Sequence, residues 1–269
     1  MRENAGVTTT TTAEFLLGAR RDRRLLDGLP EDLRPRDVDE AYAVQDALVG
    51  LLAQHGAGEP VGFKVGCTNE AAMELLGAER PFWGRLLAEN VFESGAVLDV
   101  PEAISLGVEP EYAYRVSRAF PSREGGYDAE SVLPFVSALI PSIEVVGHRY
   151  ADLIGTGVLS LVADNALNAA WVGGAPINLG GGAPDLSDVP VDVYVDDELQ
   201  ATGNAENVLG HPLNVVAWLV NELADRGRDL TPGDYVTTGT CTPLILITAG
   251  SSVRCEFGRL GNVSVDVKA

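Results

Sequence analysis

The stretch Leu106-Gly107-Val108-Glu109-Pro110-Glu111-Tyr112-Ala113-Tyr114 decides how this chain is read. Two glutamates stand at alternate positions in an otherwise apolar run. In a β-strand successive side chains face opposite ways, so Glu109 and Glu111 share one face while Val108, Pro110 and Tyr112 cover the other. Neighbouring carboxylates repel, and burying either one unpaired is costly. Two arrangements answer this: a half-exposed strand with a solvated acidic face, or a hard divalent cation held by the carboxylate oxygens. The stretch alone leaves both open.

Two further segments bear on the choice. Pro141-Ser142-Ile143-Glu144-Val145-Val146-Gly147-His148-Arg149-Tyr150 is another strand-like apolar run, with Glu144 as a third inward carboxylate. Three such groups suit an oxygen-ligand Mg2+ or Mn2+ site. Gly62-Phe63-Lys64-Val65-Gly66-Cys67 reads as a strand in which Lys64 shares its face with Gly62 and Gly66, leaving space where a ligand or another backbone can approach. Of 19 basic residues only Lys64 and Lys268 are lysines. A lysine inside an apolar strand needs an anion nearby, and its pKa can be lowered into a range useful for proton transfer. The alternative is a lysine snorkelling from a strand end.

Composition bounds the function. A chain of 269 residues, 46% hydrophobic and 22% charged, has room for a sizeable core. The net charge of −20 argues against nucleic-acid partners and anionic membranes, both of which call for basic surface. Cys67, Cys241 and Cys255 are scattered and odd in number, which points to reduced thiols and a cytoplasmic location. No run is long enough to span a membrane, and nothing resembles a signal peptide.

Along the chain, residues 1–12, with the threonine run Thr8 to Thr12, read as a disordered tail. A helical region follows over 13–60. Its first helix covers about 13–26, and its second about 38–55, with Asp37 as N-cap, Gly56 as stop and Gln45 interrupting the apolar stripe. From 61 to 269 the texture is short strands and glycine turns. Glu70 to Leu76 is a short helix, Pro81 to Leu86 an apolar turn, Ala96 to Val100 a strand, and Glu130 to Ala138 a helix. Ser160 to Ala166, holding Ser160, Asp164 and Asn165, is a turn or helix start. Val191 to Thr202 forms a hairpin around Asp196-Asp197-Glu198, and an amphipathic helix starts at Pro212 and stops at Gly227. Tyr235 to Thr240, Val253 to Phe257 and Val263 to Val267 finish the sheet.

These motifs, in order, resemble the 2-oxopent-4-enoate hydratase / 4-oxalocrotonate decarboxylase family of the fumarylacetoacetate hydrolase superfamily. The resemblance rests on Ala41-Tyr42-Ala43-Val44-Gln45, Gly62-Phe63-Lys64-Val65-Gly66 and Val108-Glu109-Pro110-Glu111. It continues through Pro141-Ser142-Ile143-Glu144, Ala163-Asp164-Asn165-Ala166, Gly210-His211-Pro212-Leu213 and Thr238-Gly239-Thr240. It implies an α+β fold, with a small helical N-terminal region and a C-terminal mixed β-roll. It also implies Glu109, Glu111 and Glu144 as ligands to Mg2+ or Mn2+, Lys64 as the catalytic residue, and homo-oligomeric assembly, with a pathway enzyme as a further partner. The substrate-binding candidates are Gln45, Phe82, Leu86, Ser160, Asp164, Asn165 and Thr240.

The implied activity is a metal-dependent lyase that hydrates an unsaturated 2-oxo acid, in aromatic or related catabolism or a specialised pathway. The alternatives are decarboxylation of a 4-oxalocrotonate-like diacid, carbon–carbon hydrolysis of an acylpyruvate with His148 as water activator, and a non-catalytic partner subunit. Three departures from the family pattern stand out. Pro81-Phe82-Trp83-Gly84 replaces a Pro-Asp-Phe-Gly motif, Gly147-His148-Arg149 replaces Asp-Ser-Arg, and Gly250-Ser251 replaces Gly-Asp in what reads as a turn. The first two point to a less polar substrate or a shifted reaction.

Overall fold

The computed structural model of the chain describes residues 2–99 and 105–268, with side chains from residue 8 onward. Two helices lead, α1 (Arg2–Arg21) and α2 (Val38–Leu52). The Asp37 side chain accepts a hydrogen bond from the Glu40 N–H at 2.8 Å, capping α2, and Gly56 takes φ +94° in the turn that ends it. Cap and stop lie where the sequence placed them. The threonine run does not form the expected disordered tail. Thr8 to Thr12 are helical. Threonine is a poor helix former, so the cause is tertiary: the wholly buried Thr12 hydroxyl lies 2.9 Å from the Thr8 carbonyl and 3.0 Å from that of Leu33.

The rest alternates strands with short helices. In order come β1 (Pro60–Gly66), α3 (Glu70–Leu76), β2 (Phe82–Leu87), β3 (Val91–Glu93), β4 (Ala96–Leu98), β5 (Ser105–Val116), α4 (Ala129–Val132) and β6 (Val136–His148). After these come α5 (Val158–Ala163), β7 (Asn168–Gly173), β8 (Ile177–Asn178), β9 (Val191–Val195), β10 (Glu198–Gly203) and α6 (Pro212–Asp225). The chain ends with β11 (Tyr235–Thr240), β12 (Ile245–Ile247), β13 (Ser252–Glu256) and β14 (Asn262–Val267). The larger sheet runs β2-β1-β11-β5-β6-β7-β3, with β12 also on β5 and β8 also on β6. Contact between β2 and β7 shows that it curls toward itself. The smaller sheet runs β10-β9-β13-β14-β4. Helices and curled mixed sheets thus make the expected α+β roll, though the last strands do not finish a single sheet: β11 lies inside the larger one, while β13 and β14 belong to the smaller.

The outer face of β5 packs onto the smaller sheet, where the Tyr112 ring meets Phe257 edge-on at 5.3 Å. Leu213, Val216, Leu219 and Leu223 of α6 are buried in the same core. His211 caps this helix and Pro212 opens it. Leu16 and Leu48 of the two leading helices share a separate core with Tyr150 and Leu161.

Two local readings are corrected. Pro81 to Leu86 is not a turn. It is largely β2, with Lys64 opposite Gly84 and the Trp83 ring against Phe63 at 5.4 Å, so cross-strand packing decides its state. The helix expected over Glu130 to Ala138 stops at Val132; Pro134 lies in a tighter turn over Leu133–Phe135, and Val136 opens β6. Val100, the expected end of the β4 strand, lies outside the described residues. Asp196 and Asp197 both take positive φ in the β9–β10 hairpin, as a tight two-residue turn requires.

Candidate metal centre

Strands β5 and β6 pair antiparallel, with Glu109 directly opposite Glu144 and Glu111 opposite Ser142. This register gathers the three glutamates: each offers a carboxylate oxygen within 4.8 Å of the others. Glu111 and Glu144 are wholly buried. Among the described residues neither carboxylate oxygen of Glu111 has a partner in full hydrogen-bond geometry, although the neighbouring Thr237 hydroxyl draws its pKa down. Buried acceptors are normally paired, and like charges directly opposed on a sheet destabilise it. A divalent cation meets both deficits. An all-oxygen, all-carboxylate donor set fits Mg2+ or Mn2+.

Crowding is visible in the acidities. Burial first, then the charge of Glu144, pushes Glu109 up to about 7, although Lys64 pulls it back. Burial and the other two carboxylates hold Glu111 well above the usual range. The buried Lys64 ammonium lies 3.1 Å from Glu144 Oε2 and donates to the Ala166 carbonyl at 3.1 Å. Asn168 Nδ2 donates to the other Glu144 oxygen at 3.1 Å. Burial pulls the Lys64 pKa down, but Glu144, Glu109 and Glu111 outweigh it, so the pKa is raised rather than lowered as expected. Another backbone approaches at one of its flanking glycines, and a side chain packs at the other. A Cβ on Gly62 would meet the Tyr235 carbonyl at 2.2 Å, and one on Gly66 would meet the Phe82 ring and Lys64 Nζ at 3.4 Å.

The turn after α5 sets the lysine. Asn165, Ala166 and Leu167 take successive positive φ values of 56°, 51° and 63°, costly for residues other than glycine. The Asn165 side chain holds this turn onto β2, accepting from the Arg85 N–H at 2.7 Å and donating to the Arg85 carbonyl at 2.9 Å. A Cβ on Gly84 would lie 2.6 Å from the Asn165 carbonyl, so this approach requires glycine. The result is the Ala166 carbonyl placed at Lys64. On the other side, an extra residue in β11 around Gly239, at φ +90°, sets Thr240 opposite Glu111.

A cavity of about 450 Å³ opens beside these groups, lined by Glu109, Thr240, Ala72 and Leu75 of α3, Leu153, Asn207 and Leu244 among others. Of the expected substrate contacts, Thr240 lines it, and Phe82 lies against Gly66 next to Lys64. Others serve the frame. Asp164 is wholly buried and held by Arg20 at 2.6 Å and Arg149 at 3.4 Å, so it ties α1 to the roll and is not free for a ligand. Gln45 Nε2 donates to the carbonyls of Trp83 and Val162 at 3.0 and 2.8 Å, joining α2 to β2 and α5. Leu86 sits deeper, in an apolar cluster with Ala113, Ile140 and Trp171. Ser160 is buried on α5 and does not line the cavity. Nor does His148, whose Nδ1 lies 2.9 Å from the Tyr150 carbonyl. The sequence reading missed Asn168, Asn207 and Leu244. Asn168 had a faint signal, an amide opening an apolar strand shortly after Glu144.

The pattern described as Fumarylacetoacetate (FAA) hydrolase C-terminal matches residues 82–268. The chain belongs to the fumarylacetoacetate hydrolase family. The likeness extends to the leading helices. The chain is 32% identical to 2-keto-4-pentenoate hydratase 1 of Dechloromonas aromatica (strain RCB), over 97% of this chain and 98% of that one. It is also 32% identical to a 4-oxalocrotonate decarboxylase of Pseudomonas putida, over 84% of this chain and 83% of that one. Among solved structures, the 4-oxalocrotonate decarboxylase from Pseudomonas putida G7, complexed with magnesium and adipate, superposes with a TM-score of 0.87. The two are 26% identical, over 99% of this chain and 98% of that one.

Proposed function

We propose that the chain is a divalent-metal-dependent lyase that adds water to an unsaturated 2-oxo acid, converting a 2-hydroxy-dienoate to a 4-hydroxy-2-oxo acid. The observation that carries this is the cluster of Glu109, Glu111 and Glu144, with no partner in full hydrogen-bond geometry for either Glu111 oxygen among the described residues, and Lys64 on Glu144. A divalent cation held there supplies a Lewis acid for the negative charge that develops on a 2-oxo acid's oxygen. Lys64 Nζ holds the proton for the carbon skeleton, oriented by the Ala166 carbonyl and Glu144. Asn168 keeps the Glu144 carboxylate in place. Burial beside Phe82 keeps bulk water away from the ammonium.

The helical region, which takes in α1 from its start and not only from residue 13, then precedes a catalytic roll that opens at β1. The free, buried cysteines Cys67, Cys241 and Cys255 suit a cytoplasmic enzyme, and no described helix is long and apolar enough to cross a membrane. Exposed Val97, Leu199 and Leu246 suit a homo-oligomer or a contact with a pathway enzyme. Decarboxylation of a 2-oxo diacid is the second reading, favoured by the structural likeness to the decarboxylase. Acylpyruvate hydrolysis is disfavoured by the position of His148. Incubation with Mg2+ and 2-hydroxypenta-2,4-dienoate, 4-oxalocrotonate or an acylpyruvate, followed by mass spectrometry, separates these. Gain of one water by the dienoate is the expected result, and loss of CO2 or cleavage without hydration would overturn it.

A further inference from the structure

We infer that the substrate carries an uncharged hydrocarbon tail at the end away from its 2-oxo acid group, seated in the cavity that opens at Glu109. The inference rests on the 2-oxo acid reading and specifies its substrate class. Among the described residues, Glu109 is the one charged residue lining the cavity, and the walls are mainly apolar, formed by Ala72, Leu75, Leu76, Leu153, Pro243 and Leu244. Each uncharged polar side chain among them already makes at least one hydrogen bond within the protein. Asn207 Nδ2 donates to the Cys241 carbonyl at 2.8 Å, Thr240 Oγ1 to that of Thr242 at 2.7 Å, and Thr242 Oγ1 to that of Pro243 at 3.0 Å. Asn69 Oδ1 accepts from the Ala72 N–H at 2.8 Å.

A carboxylate at the far end of the substrate would therefore meet no cation. Lys64 is held by Glu144 and Ala166, and Arg20 and Arg149 are held by Asp164. An unpaired carboxylate in such a site, beside Glu109 and in a chain of net charge −20, is disfavoured. Methylene groups are favoured there because they shed water without losing hydrogen bonds. The volume of about 450 Å³ also exceeds the needs of a five-carbon acid and lies in the range of pockets for larger ligands. Leu75, 58% exposed at the mouth, gives a tail a path inward.

Calorimetric titration of the Mg2+-loaded protein with pyruvate, 2-oxobutanoate, 2-oxohexanoate, 2-oxooctanoate and 2-oxoadipate tests this without reference to turnover. Affinity should rise about fourfold per added methylene, and 2-oxoadipate should bind at least about tenfold more weakly than 2-oxohexanoate. In Leu75→Lys, whose exposed site spares the fold, the diacid should gain affinity relative to 2-oxohexanoate by about tenfold. A flat series, or a diacid bound as tightly as the monoacid in the wild type, overturns the inference while leaving the 2-oxo acid reading intact. An unchanged ranking in Leu75→Lys overturns the assignment of this cavity. If no 2-oxo acid binds, pyruvate included, the functional reading itself falls, and the tail with it.

Discussion

The Lys64 ammonium lies 3.1 Å from the Glu144 carboxylate, and both side chains are buried. The pair leaves Glu109 and Glu111 with no countercharge of their own, so they are held toward the protonated form until a further cation joins the site. Replacing Lys64 by Met should cost the metal-free protein about 3–5 kcal/mol, the usual penalty for breaking a buried pair. Denaturant unfolding would measure the loss. Added Mg2+ should recover more stability in the variant than in the wild type, while turnover stays down by about 10²-fold or more. Unchanged turnover would remove the lysine from the chemistry.

Among the described residues Glu111 has two buried oxygens with no partner in full hydrogen-bond geometry, which makes it the carboxylate with most to gain from a cation. Glu111→Gln and Glu144→Gln should each abolish Mg2+ binding in calorimetry and lose turnover with it. Full activity in the double variant, verified free of metal, would sink the proposed centre.

Metal binding to the native state alone stabilises by mass action, about 2.7 kcal/mol at a hundredfold excess over Kd. Chelation should therefore lower Tm by roughly 5–10 °C for a chain of this size. A Tm indifferent to both chelator and added Mg2+ would argue for a cluster that never fills.

Asp164 serves the frame, bridging Arg20 and Arg149. Asp164→Asn should destabilise by several kcal/mol, since it leaves buried guanidinium groups without their countercharge. At a temperature where the variant is folded, its KM should stay within about twofold of the wild type. A large KM effect with unaltered stability would restore Asp164 as a substrate contact.

His211 caps α6 through Nδ1, which accepts from the Leu213 N–H at 3.1 Å. Burial lowers its pKa, though the charge of Asp185 opposes the shift. A depressed folded-state value means the unfolded chain binds the proton first. The stabilising contribution is thus present above the ordinary imidazole value of about 6.5 and is lost as pH falls through the folded-state pKa. His211→Asn, which keeps a capping oxygen, should flatten the acid limb of a stability–pH curve. An identical acid limb would exclude this cap from the pH response.

Much of the centre was legible because strand periodicity is local. Glu109 and Glu111 at alternate positions had to share a face, Glu144 stood alone in an apolar run, and Lys64 was one of only two lysines. Helix caps were legible for the same reason, as Asp37 and Pro212 show. The partners of Asp164 and Asn165, two arginines for the one and the β2 backbone for the other, were not legible, because a buried polar pair looks the same in sequence whatever it faces. Here the arginine at Arg20 is far away along the chain and reaches Asp164 only through the packing of α1.

By itself, then, the sequence determined the ingredients: an α+β chain with an acidic strand, a third carboxylate and one isolated lysine. Only the tertiary structure decided that they meet. A slip of one residue between β5 and β6 would have turned Glu144 to the opposite face from Glu109. The Lys64 contact depends on a left-handed turn pressed onto Gly84, and the cavity on walls from separate segments around Leu75, Leu153, Asn207 and Leu244. Register, close approach and cavity shape arise from non-local packing, which local periodicity does not encode.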